Sequence, residues 1–439
     1  MRAIDIIAKK RDGHELSKEE IHWFIESYTR GDFPDYQASA LLMAIFLKGM
    51  SREETVNLTL AMAYSGDVLD LSDLIPYAVD KHSSGGVGDK TTLVVLPLVA
   101  SCGVPVAKMS GRGLGFSGGT LDKLESIKGY NVNLTNDEFR RLIRENGIVL
   151  SGQSHDLAPA DGKLYALRDV TATVPCLPLI ASSIMSKKIA AGANGIVLDV
   201  KVGRGAFMTN LDDARELAQI MVDIGVDAGR EMIAVLSDMD QPLGDAVGNA
   251  LELKEAIACL HGKGPADFRE HCLDLAGYML RLAGQGQKWT DDREIRALLT
   301  DQLSNGQAFA KLRQLVIGQG GDVNMIDNPS LLPHAPIVDK VVASRSGYVA
   351  QVPADEIAMA SFDLGTGREK KGDPIDFGVG LEVRVKVGDK VETGSPLVTI
   401  HANTQSQLAP CRARLEKAIT FSDAPVEALP LFYGTIFGR

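Results

Sequence analysis

Long apolar runs are missing from this 439-residue chain: nowhere do about 18 apolar residues occur together without a glycine, a proline or a charge. The N-terminal stretch MRAIDIIAKKRDG has no apolar core either, so neither a membrane span nor a secretion signal is expected. Cysteine is scarce. Cys102, Cys176, Cys259, Cys272 and Cys411 are odd in number, scattered and free of CxxC pairs, which excludes a disulfide framework and a zinc site and makes a reducing cytoplasm the expected location. An excess of basic charge is lacking too. The formal net charge of -11 works against non-specific binding to nucleic acid, whose affinity depends on basic groups neutralising phosphates, so an anionic substrate needs a local positive site. Neither the GxxxxGK[ST] loop nor GxGxxG is present, and His14, His22, His155, His261, His271, His334 and His401 show no metal-ligand spacing such as HExxH. What remains is a globular composition, 45% hydrophobic and 23% charged, with enough interior for two or three domains.

Apolar residues three and four apart, as in Ile21, Phe24, Ile25 and Leu41, Leu42, Ile45, Phe46, predict helices from Ile4 to about Gly66. Ser17, three residues before Glu20, predicts a capping box. From Ala78 the pattern becomes short strands alternating with helices, the signature of a parallel sheet with crossover helices; it resumes with GIVLDVKVG at 195–203, a helix at 211–226 and a strand at 232–239. Between these, 162–193 reads as helical, broken at Pro175 and Pro178 and ended by Gly192. The predicted domains are therefore 1–66 plus 162–193, all-helical; 78–155 plus 196–336, mixed α/β with a central, largely parallel sheet; and 337–439, glycine-punctuated and β-rich.

The segment DKHSSGGVGDKTT, Asp80 to Thr92, runs from a strand end through glycines to a helix whose expected cap is Asp89. Glycines let several backbone N–H groups converge on one anion, and a helix N-terminus adds its positive dipole end. A tight turn with no ligand explains these glycines equally well. A second loop, MSGRGLGFSGGTLDKLE from Met109 to Glu125, repeats the logic, and two such loops can hold one phosphate from both sides. Lys81, Ser83, Thr92, Ser110 and Thr120 add an ammonium and hydroxyls suited to it. Asp122, Lys123 and Glu125 read as a charged first turn on a solvated helix. Ser183 and Lys187, four apart on a helix, share a face, and with Arg168 they form a second constellation; as isolated features, helical Arg and Lys are surface charges.

These blocks resemble the thymidine and pyrimidine-nucleoside phosphorylases over essentially the full chain: SGRGLG at 110–115, GGTLDKLE at 118–125, DKHS at 80–83, GGVGD at 85–89, KLYALRDVTATV at 163–174, IASSIMSKKIAAGA at 180–193 and SDMDQPLGDAVGNALE at 237–252. The resemblance implies a fold like that of class II nucleoside phosphorylases and phosphate-dependent cleavage of pyrimidine nucleosides, with uridine a substrate besides thymidine. It implies a phosphate set of Lys81, His82, Ser83, Thr92, Lys108, Met109, Ser110 and Thr120, and a substrate set of Arg168, Ser183 and Lys187. Of these, His82, Arg168 and Lys187 are implied to be catalytic, with Asp161 and Tyr165 orienting Arg168. A potassium ion at Gly88, Lys90, Leu243, Ala246 and Glu255, no organic cofactor, and a homodimer through the apolar early helices also follow from it. Against the family pattern, Ser84 and Ser117 stand for Thr, Phe116 for His and Lys90 for Thr. Phosphate on the α/β domain and base on the helical one imply a cleft that closes about hinges near 66–80, 155–162 and 193–196. A phosphoribosyltransferase is the rival reading of the architecture, and a carrier-like role for the β-rich tail is the non-enzymatic one.

Overall fold

The computed structural model describes residues 1–113, 118–152, 157–370 and 372–438. Four helices open the chain: α1 (Ala3–Arg11), α2 (Lys18–Arg30), α3 (Asp35–Lys48) and α4 (Arg52–Ala63). The capping box at Ser17 forms as expected, Glu20 N–H donating to Ser17 Oγ and Ser17 N–H donating back to the Glu20 carboxylate at 2.6 Å. Ser51 and Glu54 do the same for α4.

An α/β region follows, with β1 (Val79–Ser83), α5 (Thr91–Ser101), β2 (Val106–Ser110), α6 (Thr120–Glu125), α7 (Asn136–Asn146) and β3 (Ile148–Gly152). Two helices, α8 (Pro159–Val170) and α9 (Leu177–Ala190), then lead back to β4 (Gly195–Val202), α10 (Leu211–Asp227) and β5 (Glu231–Asp238). Strands β1, β4 and β5 are parallel neighbours, Val79 facing Gly195 and Gly195 facing Glu231. Strands β2 and β3 form a separate parallel pair. Since β4 is buried along its whole length, any charge on it must find an internal partner.

Helix α9 joins two cores. Leu179 in its first turn packs with Ile21, Phe24, Leu41, Ile45 and Leu164 of the helical layer. Further along, Ala181, Met185 and Ile189 pack with Leu198, Val200 and Leu236 of the main sheet. Residues between those contacts, Ser183 and Lys187 among them, are held at the seam between the layers.

Beyond β5 come β6 (Ala246–Val247), α11 (Asn249–Leu260), α12 (Ala266–Ala283), α13 (Asp292–Ser304), α14 (Gln307–Gly318) and α15 (Asn324–Asp327). The chain ends with β7 (Ile337–Val342), β8 (Gly347–Gln351), α16 (Ala354–Asp363), β9 (Gly380–Val383), β10 (Lys390–Val391), β11 (Pro396–Ala402), α17 (Gln405–Ala418), β12 (Thr420–Ser422) and β13 (Phe432–Phe437). Its antiparallel sheets, in orders β6-β9-β11-β7 and β10-β8-β12, do not stand apart from the α/β region. Strand β9 pairs with β6, and β13 leaves the tail to pair antiparallel with β5, covering an edge whose N–H and C=O groups would otherwise be unpaired. Among the described residues, no helix is long and apolar enough to cross a membrane.

Candidate active site

Strand β1 carries Lys81, His82 and Ser83 to the first glycine loop. Ser84 continues the ladder, its N–H donating to Asp199 O at 3.0 Å while its hydroxyl accepts from Lys201 N at 2.8 Å. Gly85 and Gly88 take φ of 95° and 69°, and a Cβ on Gly86 would meet Met239 Cε at 2.7 Å, so the turn requires glycine. The helix cap differs from expectation. Lys90 occupies that position on α5, and the Asp89 carboxylate instead takes hydrogen bonds from the hydroxyls of Ser83 and Thr91 and from Thr91 N–H.

Beneath the loop lies a buried charge network that connects the strands. Lys81, wholly buried, donates to Thr91 Oγ1 at 2.5 Å and lies 3.9 Å from Asp89 and 3.8 Å from Asp199. Asp199 pairs with Lys201 at 2.8 Å and with His271 Nε2 at 2.9 Å, and its other oxygen accepts from Ser237. Burial opposes ionisation of Asp89 and Asp199, but Lys81 and Lys201 outweigh it and hold both below the usual carboxylate range. Thr92 is buried in the first turn of α5.

Asp80 clasps the next strand. Lys108 on β2 donates to Asp80 Oδ1 at 3.1 Å and to the Lys81 carbonyl, and Lys188 on α9 donates to Asp80 Oδ2 at 2.8 Å and to Met109 O at 3.4 Å. Lys81, His82, Lys108 and Met109 are thereby brought together at the ends of two strands. Burial, helped by Lys188 and Lys81, pushes the Lys108 ammonium down to about 7 against the pull of Asp80. For His82, burial and then Lys188 and Lys108 hold the imidazole well below its ordinary value, so it is neutral at pH 7.

Ser110 ends β2 and Thr120 opens α6, one on each side of the second glycine loop. Phe116 and Ser117 lie outside the described residues, as does the 155–156 part of one expected hinge. The acidic and basic residues of α6 are not a solvated turn. Asp122 and Lys123 are buried: Asp122 Oδ2 accepts from Gly113 N at 2.6 Å and Gly119 N at 3.1 Å, Lys123 donates to Gly118 O at 2.8 Å, and Glu125 pairs with Arg112. They hold the two described ends of the loop, where the N–H groups of Gly113 and Gly119 find their acceptor in the Asp122 carboxylate.

The second constellation forms where α8 meets α9. Lys187 Nζ donates to Asp161 Oδ2 at 2.6 Å and to Ser183 Oγ at 3.1 Å, with about a quarter of its side chain exposed. Asp161 therefore orients Lys187, not Arg168. The Arg168 guanidinium is buried and donates to the carbonyls of Thr173, Val174 and Leu179 at 3.3, 2.7 and 3.0 Å, with the Tyr165 ring centre 5.8 Å from Cζ. Those three bonds leave two of its five N–H donors.

The five residues implied for potassium do converge, but on an ammonium group. Lys90 Nζ donates to Leu243 O at 2.7 Å, Ala246 O at 3.1 Å and the Glu255 carboxylate, and a Cβ on Gly88 would lie 3.4 Å from it. With that centre filled by the chain, these residues do not fit a potassium ion.

Sequence reasoning missed Asp80, Lys188, Asp199, Lys201 and His271. One signal was present: Asp199 and Lys201 interrupt an otherwise apolar strand, and buried charges must be paired.

Three family models match the chain: "Glycosyl transferase family, helical bundle domain" over 4–66, "Glycosyl transferase family, a/b domain" over 76–309 and "Pyrimidine nucleoside phosphorylase C-terminal domain" over 348–422. A pyrimidine-nucleoside phosphorylase of Geobacillus stearothermophilus is 55% identical over 436 residues, covering 99% of this chain and 100% of the relative. One of Staphylococcus haemolyticus is 57% identical over 406 residues, 92% and 93% of the two chains. Among solved structures, anthranilate phosphoribosyltransferase from Thermus thermophilus superposes with a TM-score of 0.59 at 20% identity, over 72% of this chain and 99% of that one, a likeness of fold alone. Helical bundle, α/β domain and C-terminal module agree with the architecture expected from the sequence, and with more than half of its residues shared with such a relative along nearly its whole length, the chain belongs to the pyrimidine-nucleoside phosphorylase family of pentosyltransferase enzymes.

Proposed function

We propose that this chain catalyses reversible phosphorolysis of uridine, thymidine and deoxyuridine to the free base and ribose or deoxyribose 1-phosphate, in cytoplasmic pyrimidine salvage. The observation that carries it is the Asp80 clasp, which joins the lysine-bearing ends of β1 and β2, under the glycine loops, to the helix of Ser183 and Lys187. Phosphate and nucleoside then meet at one seam. In this reading the two loops and the Lys81, His82, Ser83, Thr92, Lys108, Met109, Ser110 and Thr120 set hold phosphate.

A phosphate oxygen bonds to the anomeric carbon as the bond to the base breaks, through a transition state with oxocarbenium character. The electron pair goes to the departing ring and spreads to its carbonyl oxygens. Lys187, steadied by Asp161 and Ser183, and the remaining donors of Arg168 stabilise that charge. Neutral His82 donates a hydrogen bond to a carbonyl oxygen of the base. Closure of the seam about the segments near 66–80 and 193–196 excludes water and favours phosphate as nucleophile.

A homodimer also belongs to this reading. Tyr36, Met43 and Leu47 lie along one face of α3 and are 75%, 36% and 70% exposed, an apolar stripe suited to a second copy.

The direct test incubates the protein with phosphate and either uridine or thymidine and follows free base and sugar 1-phosphate. No phosphate-dependent cleavage of either nucleoside, or release of pyrophosphate from phosphoribosyl pyrophosphate in its place, would overturn the assignment.

A further inference from the structure

Two lysines collect four carbonyls of the segment from Pro242 to Val247, those of Pro242, Leu243, Gly244 and Ala246. From the first glycine loop comes Lys90, whose ammonium has three N–H donors. Three acceptors meet it: Leu243 O at 2.7 Å, Ala246 O at 3.1 Å and the Glu255 carboxylate. Glu255 is itself held by the N–H groups of Asp245 at 3.0 Å and Ala246 at 2.8 Å. From the C-terminal module comes Lys386, donating to Pro242 O at 2.6 Å and Gly244 O at 2.7 Å and pairing with Asp267 at 2.9 Å.

The Lys90 cage is closed. The Phe268 ring centre is 4.9 Å from Nζ, a Cβ on Gly244 would sit 2.1 Å from Glu255 Oε1 and 2.8 Å from Nζ, and one on Gly88 would sit 2.6 Å from Leu243 O. Two carbonyls and one carboxylate around a single positive charge are the surroundings of a bound monovalent cation. An ammonium and a potassium ion have the same charge and similar radii. They differ in that the ammonium needs three directed acceptors, which this cage supplies, whereas a metal ion needs a larger oxygen shell.

We infer that the Lys90 ammonium is a tethered replacement for a monovalent metal cation, locking the first glycine loop onto the 242–247 segment so that the enzyme needs no added potassium. Lys90 is a positioning residue: it sits at the cap of α5, next to the Asp89 and Thr91 side chains that hold Lys81 and Ser83. Losing the ammonium frees the loop, and the effect falls on phosphate affinity before turnover. The kinetic part of this inference rests on the proposed phosphorolysis; the thermal part does not.

The test compares the wild type with Lys90→Thr, which removes the ammonium and leaves the oxygens in place. Both are measured in choline, lithium and potassium chloride at equal ionic strength. Wild-type Tm and phosphate KM should be the same in all three salts, and saturable stabilisation or activation by potassium would overturn the inference without any variant. Lys90→Thr in choline should lose several degrees in Tm and show about a tenfold higher phosphate KM with a smaller change in kcat. Potassium, and not lithium, should restore both. A variant that matches the wild type in choline, or whose defect responds to none of the salts, would also overturn it. Should the variant fail to fold, the wild-type comparison decides alone; absence of nucleoside cleavage in every salt counts against the proposed activity and leaves the thermal comparison standing.

Discussion

Asp80 on β1 and Lys188 on α9, 108 residues apart in sequence, form a 2.8 Å ion pair whose side chains are 3% and 5% exposed. Through its other oxygen Asp80 also holds Lys108 of β2. One carboxylate thus ties together both strands that feed the glycine loops and the helix that carries Ser183 and Lys187.

Removing that carboxylate by Asp80→Asn leaves Lys108 and Lys188 buried side by side. The expected loss is about 3–5 kcal/mol in urea unfolding at pH 7. The sign with pH follows from the pair: the two lysines, against burial, hold the Asp80 pKa below its unfolded value. Its contribution is therefore complete above about pH 4 and is lost as pH falls further. The variant should show a shallower loss of stability than the wild type across that acid range. A loss under 1 kcal/mol at pH 7 would mean the clasp does not hold these elements.

Lys187→Gln separates chemistry from stability. The amide keeps a donor for Asp161 and Ser183 but cannot supply a positive charge to a departing pyrimidine. The expected result is a fall of about 100- to 1000-fold in kcat, with Tm changed little. A kcat within tenfold of wild type would remove Lys187 from the catalytic set.

Lys108 should reveal itself by the proton it takes up. An ordinary lysine titrates near about 10.4, whereas burial pushes this one down to about 7, so at pH 8 it is largely neutral without ligand. An arriving phosphate favours the ammonium. Calorimetric titration with phosphate at pH 8, in two buffers of different ionisation enthalpy, should show proton uptake by the wild type and less uptake by Lys108→Met. Equal uptake by the two proteins would contradict this.

Gly119→Ala probes the second loop. The added carbon would lie 2.1 Å from Gly113 N and 2.4 Å from the Arg112 carbonyl carbon, so the backbone before α6 must move and Thr120 moves with it. Misplacement of about 1 Å is enough for roughly a 100-fold loss in kcat/KM for phosphate. Circular dichroism should remain that of the wild type; unaltered phosphate kinetics would show that Thr120 needs no such placement.

Much of the frame was legible in the chain. Periodicity located the helices around Ile21 to Ile45, the Ser17 box marked a true start, and the apolar run at 195–203 became β4. Glycines at 85 and 88 marked a turn that left-handed backbone requires. Charges were harder to place. Asp122 and Lys123 looked like a wet helical turn, Asp89 like a cap, and Asp161 like a partner of Arg168, yet each is buried or bonded against a different group: Asp122 and Lys123 against the loop backbone, Asp89 against Ser83 and Thr91, and Asp161 against Lys187.

Sequence by itself determined the order of helices and strands and the two glycine loops, because periodicity and φ preference are local properties of neighbouring residues. The tertiary structure alone decided which charges meet. Asp80 finds Lys188, and Lys386 finds Pro242, Gly244 and Asp267, across more than a hundred positions, because a buried or partly buried charge takes whatever partner the fold brings within hydrogen-bond reach.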